Sequence, residues 1–141
     1  MIDFKYERIF FDTAPYIYLL DYNDTYRENT IRIFEHCLSH EKQMLTSTVT
    51  IEEFCVKPYR DDDIKLIKDF KRFLIDTEIK IIQIDEEIAH KAAMIRAKYK
   101  SFKAMDSLQL AAAIIVGCDL FITNDKQLRQ IKDLNILVIS E

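Results

Sequence analysis

At 141 residues the chain is long enough for one substantial core and short for two, so a single domain spanning 1–141 is expected. A formal net charge of −4 provides no overall positive field, and charge alone neither selects nor excludes a polyanionic partner. The one glycine, Gly117, excludes Walker and dinucleotide-binding loops, which need glycines where backbone approaches phosphate. Cys37, Cys55 and Cys118 stand in unrelated contexts, which suits buried free thiols in a reducing cytosol. The longest uncharged apolar run, Leu110 to Cys118, falls well short of the ~18 residues that cross a bilayer. The expectation is a soluble, cytoplasmic protein without a membrane segment.

In chain order, "RIFFD" (8–12) predicts a short buried strand that leaves Asp12 at its carboxyl end. Pro15 in "TAPYIYLL" suits the first turn of the helix that follows. A second helix is expected over Glu28 to Ser39 and a strand over 43–46, after which "STVTIEEFCV" opens a helix with Glu53 in its early turns. "RDDDIKLIKDFKRFLIDT" is amphipathic, with Ile64, Ile67, Phe70, Phe73 and Leu74 on one face and acids at its start. "IKIIQI" (79–84) predicts a strand, "DEEIAHKAAMIRAKY" a helix, "AMDSLQLAAAIIVG" a near-wholly buried helix ending at Gly117, and "DLFIT" a strand. A short helix and "NILVIS" complete the chain. Strands that alternate with helices and are apolar throughout point to a mostly parallel sheet covered on both faces, a three-layer α/β/α sandwich. Such folds bind ligands beyond the carboxyl ends of their strands.

Four acids fall at element ends on that side: Asp12, Glu53, Asp106 and Asp125. Each has a local explanation. Asp12 suits a turn, Glu53 the third helical position after a Thr50 cap, Asp106 a cap answered by Gln109, and Asp125 a cap in "TNDKQL". Together they pose a different problem, because four converging carboxylates raise one another's pKa unless cations compensate. Hard divalent ions do so, and Mg²⁺ is held by one or two carboxylates plus waters and substrate phosphate, so a sparse acidic pocket fits Mg²⁺ or Mn²⁺. His36 and His40 have helical metal-ligand spacing, but nothing else supplies a zinc set, and no histidine–nucleophile pair supports a Ser or Cys hydrolase.

"FFDTAPYIYLLD", "TSTVTIEEF" and "KAMDSLQLAAAIIVGCDLFITND" resemble, in order and context, the successive motifs of PIN-domain nucleases, especially VapC-type toxins. The resemblance covers almost the whole chain. It places the family's strand-Asp-Thr motif on Asp12 and Thr13, and its Thr-x-x-Glu on Thr50 and Glu53, which leaves Glu52 the weaker candidate. The Asp heading an Ala-rich helix is Asp106, and the acid of Thr-Asn-Asp is Asp125. Ala14 and Gln127 depart from the pattern, in which many relatives have asparagine and a further acid; "FCVKPYR" replaces a glycine-containing loop. A phosphatase of the haloacid-dehalogenase type needs an acid two residues after Asp12, where Ala14 stands.

The resemblance implies metal-dependent hydrolysis of RNA phosphodiesters by a PIN-like fold, with Mg²⁺ or Mn²⁺ as cofactor. Asp12 and Asp106 are the implied central ligands, Glu53 and Asp125 bind directly or through water, and Thr13 and Thr123 orient waters or carboxylates from behind. Lys57, Arg60, Lys100 and Lys103 flank the acidic motifs and are candidate contacts to RNA phosphate, with solvated surface as the plainer reading. Tyr16, Tyr18 and Tyr59 are candidates for base stacking, against core packing. A toxin would also have a cognate antitoxin, which offers an Arg or Lys to the carboxylates, and would form a homodimer. The alternative is a catalytically inactive PIN-like module that binds RNA or protein.

Overall fold

The computed structural model describes residues 5–141. Five strands, β1 (Arg8–Phe11), β2 (Gln43–Ser47), β3 (Lys80–Ile82), β4 (Leu120–Thr123) and β5 (Ile136–Val138), form one sheet in the order β3-β2-β1-β4-β5. All four pairings are parallel, with Phe10 opposite Leu45 on one side and Phe121 on the other. Six helices connect them: α1 (Thr13–Leu20), α2 (Arg27–Ser39), α3 (Thr48–Arg60), α4 (Ile64–Asp76), α5 (Glu86–Lys98) and α6 (Ala104–Ile115). A 3₁₀ turn, Lys126–Gln130, follows β4.

The two-residue period of a strand sends β1 into two cores. Ile9 and Phe11 pack with Tyr16, Phe34, Phe54 and Phe70 from α1 to α4, while Phe10 packs with Phe121, Ile88, Ile95 and Leu110 on the α5–α6 side. The rings of Phe10 and Phe121 lie parallel with centroids 5.3 Å apart. Strands buried on both faces carry no polar alternation, which explains the apolar runs "IFF" of β1 and "LFI" of β4. The expected three-layer sandwich is therefore present, and its sheet is wholly parallel.

Differences from expectation lie at element edges. Ile64 is exposed at the first position of α4, and Leu66 takes its place in the core beside Ile67, Phe70 and Leu74. Asp63 fixes this phase by accepting from the Leu66 amide. The buried stretch of α6 begins only at Ser107, since Ala104 and Met105 lie outside the sheet's footprint and are exposed. α6 stops as expected. Gly117 adopts φ +76°, and bonds from the Gly117 amide to Ile114 O (3.1 Å) and from Cys118 to Ala113 O (2.9 Å) close its last turn. With glycine so scarce, Tyr22, Glu41, Asp62 and Glu78 adopt the same left-handed conformation after α1, α2, α3 and α4.

The chain leaves β1 toward β2 and β3 on one side and returns to β4 and β5 on the other. Successive connections thus diverge at the carboxyl ends of β1 and β4, the point where parallel sheets open a crevice.

Candidate active site

Asp12 follows β1 directly and caps α1, with Oδ1 accepting from the Thr13 amide at 2.8 Å. Its Oδ2 accepts from the Thr123 hydroxyl at 2.8 Å, so β4 fixes the carboxylate carried by β1. The Thr123 oxygen in turn accepts from the Asp125 amide at 3.1 Å, and Asp125 caps the 3₁₀ turn through the Gln127 amide. Thr13 donates its hydroxyl to Glu53 Oε1 at 2.6 Å, which ties α1 to α3. Glu53 is half-buried there and Glu52 is exposed, as the motif spacing predicts.

Two local explanations do not survive. Ser47, not Thr50, caps α3, by accepting from the Val49 amide, so Glu53 lies beyond the first turn and answers Thr13 instead. Lys103, not Asp106, occupies the capping position of α6 and makes no side-chain capping bond. Asp106 sits inside the first turn, where the helix dipole favours an anion.

Gln109 is the residue whose role the sequence reading missed. It is fully buried, accepts from the Ser47 hydroxyl at 2.5 Å and donates to the Thr50 oxygen at 2.7 Å. Its other amide hydrogen faces Asp12 Oδ1 and the Thr13 hydroxyl, each at 3.4 Å. The Thr50 and Thr46 hydroxyls are 2.8 Å apart, and Thr46 donates to the Phe11 carbonyl at 2.9 Å. One polar network therefore joins α6, β2, α3 and the end of β1 beneath the acids. The available signal was a glutamine set among alanines and leucines, since a buried amide must find partners.

The acids converge electrostatically. Burial raises the Asp12 carboxyl to about 6, against the lowering effect of its Thr13 and Thr123 bonds and with added repulsion from Asp106 and Glu53. Asp106 is likewise raised, first by burial, then by Asp125 and Glu53, while Lys103 lowers it. Asp12 thus feels Asp106 and Glu53, and Asp106 links Asp12 and Glu53 to Asp125. Among the described residues, no three His, Cys, Asp or Glu side chains are grouped tightly enough to enclose an ion as they stand. The donor set is nonetheless all oxygen and poised in repulsion, which fits a hard divalent cation that retains waters.

Beside Asp12 and Asp125 a hollow of about 810 Å³ opens to solvent, lined also by Tyr18 and Tyr26. Tyr16 has no access to it, being wholly buried against Phe11, Phe34 and Phe70. Of the candidate cations, Lys100, Lys103 and Arg60 are exposed, while Lys57 lies 3.6 Å from Asp21 and 3.5 Å from Asp61. His36 and His40 stack on each other at the end of α2, before the amino end of β2 and away from the acids.

The model of the PIN domain family matches residues 9–134, from the middle of β1 to just short of β5. The chain belongs to the PIN domain family. Comparison with curated proteins by sequence returns no match. Among solved structures, this PIN domain is similar to VapBC2 from Rickettsia felis bound to a DNA fragment from its promoter, with TM-score 0.76 and 12% identity over 93% of this chain and 98% of that one. It is also similar to a toxin–antitoxin complex from Klebsiella pneumoniae, with TM-score 0.71 and 23% identity over 93% and 97%. VapC20 of Mycobacterium tuberculosis, a sarcin–ricin loop cleaving toxin, aligns with TM-score 0.63 and 16% identity over 80% and 86%. At these identities the likeness is one of fold, and no helix among the described residues is long and apolar enough to cross a membrane.

Proposed function

We propose that this PIN domain is a Mg²⁺- or Mn²⁺-dependent endoribonuclease, that residues 1–141 act as one nuclease unit, and that it is the toxin of a toxin–antitoxin pair. The observation that carries this reading is the convergence of Asp12, Glu53, Asp106 and Asp125 at the sheet's switch point, where Asp12 and Asp106 both have raised pKa. Asp12 and Asp106 would hold the metal most directly, and Glu53 and Asp125 directly or through water. When bound, the ion supplies activation of a water nucleophile and neutralisation of charge developing on the phosphate.

The chain's own residues set the geometry. Thr123 keeps Asp12 Oδ2 turned toward β4, which leaves that oxygen's remaining lone pair for a ligand. Thr13 holds Glu53 back from Asp12, so the two carboxylates share a site without closing on each other. Lys103 stands at the start of α6 close enough to act on Asp106, which makes it the first candidate for a contact to the scissile phosphate. Lys100 and Arg60 serve phosphates farther along the strand, and Lys57 does so only by giving up Asp21 and Asp61. The toxin assignment rests on the structural neighbours from toxin–antitoxin complexes, and it includes an antitoxin that inserts a cation among the acids and a homodimeric toxin.

A panel of structured and single-stranded RNAs, incubated with Mg²⁺, Mn²⁺ or EDTA, tests the assignment. Cleavage by the wild-type protein with metal, and none by Asp12→Asn or Asp106→Asn, supports it. Metal-independent RNA binding without cleavage would favour the inactive module instead.

A further inference from the structure

We propose that the hollow beside Asp12 and Asp125 is a nucleobase subsite that receives the base next to the scissile phosphate. This rests on the nuclease reading above and names what that site recognises. The hollow shares Asp12 and Asp125 with the acidic group, so a nucleotide whose phosphate lies at the acids has its base within reach of the other residues that line it. Two of these, Tyr18 and Tyr26, are aromatic, and Tyr18 is held in place. The half-buried Tyr18 accepts a hydrogen bond at its hydroxyl from Asn124 Nδ2 at 2.8 Å, and Asn124 Oδ1 accepts from the Ser140 amide at 2.9 Å. Tyr26 packs against Tyr18 with ring centroids 5.0 Å apart and an interplanar angle of 43°.

A ring positioned before the ligand arrives offers a stacking face at little cost in conformational entropy, and every base has a complementary face. Ala14 also lines the hollow, and its single methyl takes up little of its space. Gln127 lines it too and is exposed. A neutral amide is a poor metal ligand beside carboxylates, but it presents a donor and an acceptor together, the pair that reads a base edge. RNA bases are accessible to such contacts where they are unstacked.

The test measures binding separately from cleavage. Affinities of the four nucleoside 5′-monophosphates and of ribose 5-phosphate are measured by NMR titration in Mn²⁺-free, Ca²⁺-containing buffer. At least one nucleotide should bind roughly fivefold to 150-fold more tightly than ribose 5-phosphate, the factor expected for stacking one base. Tyr18→Ala should remove that preference, Tyr18→Phe should restore part of it because the ring remains without the Asn124 bond that positions it, and Gln127→Ala should change the ranking among the four bases. Equal affinity of wild type for nucleotides and ribose 5-phosphate overturns the subsite, as does an unchanged preference in Tyr18→Ala. A protein that discriminates bases in this assay but cleaves no RNA retains the subsite and loses the nuclease assignment.

Discussion

Replacing Gln109 by leucine removes the amide that joins four elements beneath the acids while keeping the side chain's approximate volume. The Ser47 hydroxyl then loses its acceptor and the Thr50 oxygen loses its donor, both in positions without solvent. Thr50 keeps its bond to Thr46 and Ser47 still accepts from the Val49 amide, so the group stranded outright is the Ser47 hydroxyl hydrogen. An unpaired buried polar group costs about 1–3 kcal/mol, less whatever the added apolar burial returns. For a chain of this length that corresponds to a fall in Tm of roughly 3–10 °C. The loss of the 3.4 Å contacts to Asp12 and Thr13 also leaves the first carboxylate less restrained, which should weaken Mn²⁺ binding beyond the effect on stability. Urea unfolding in EDTA gives the first quantity, and calorimetric titration with Mn²⁺ below the melting range gives the second. A Gln109→Leu protein within about 0.5 kcal/mol of wild type would refute the claim that this network organises the site.

Other outcomes follow from the same geometry. Burial holds the Asp12 carboxyl at about 6 against an ordinary 3.8, so folding favours its protonated form. That contribution is fully present below the ordinary value and is lost as pH rises through about 6. Metal-free Asp12→Asn should therefore exceed wild type in stability at pH 7.5, by at most about 3 kcal/mol, with the gap closing toward pH 4 in urea melts; no gain at pH 7.5 would contradict this. Asp106→Asn should abolish cleavage yet melt within a few degrees of wild type, because the bond Asp106 accepts from the Lys103 backbone at the start of α6 is one an asparagine oxygen can keep. Mn²⁺ at ten times its Kd should raise wild-type stability by about 1.4 kcal/mol and leave Asp12→Asn unmoved in thermal scans. Glu78→Gly, at φ +56° after α4, should stabilise the protein by about 0.5–1 kcal/mol in urea, since glycine relieves the left-handed strain.

The layers and most elements were legible because their signals are local and strong. Apolar strand runs bounded by caps and a terminating glycine leave few alternatives, and β1, β4 and α6 fall where those signals put them. That the four acids lie on one side of the sheet was legible because β1, α3, α6 and β4 each end or begin there. Their supports were not. Ser47 caps α3 where Thr50 was the sequence candidate, because β2 runs one residue farther and hands directly to the helix. Asp106 and Gln109 share capping-box spacing, yet tertiary burial draws Gln109 toward Ser47 and Thr50 and leaves Asp106 to the other acids. Spacing along one helix carries no information about hydroxyls that arrive from another strand.

The central claim is that these carboxylates close around a divalent ion, and the most direct measurement is anomalous diffraction from crystals soaked in Mn²⁺. The expected result is a peak at the Asp12 and Asp106 carboxylates, which would hold the ion with help from Glu53 and Asp125, and its absence from Asp12→Asn crystals. A Mn²⁺ peak elsewhere on the molecule, with none between Asp12 and Asp106, would contradict it.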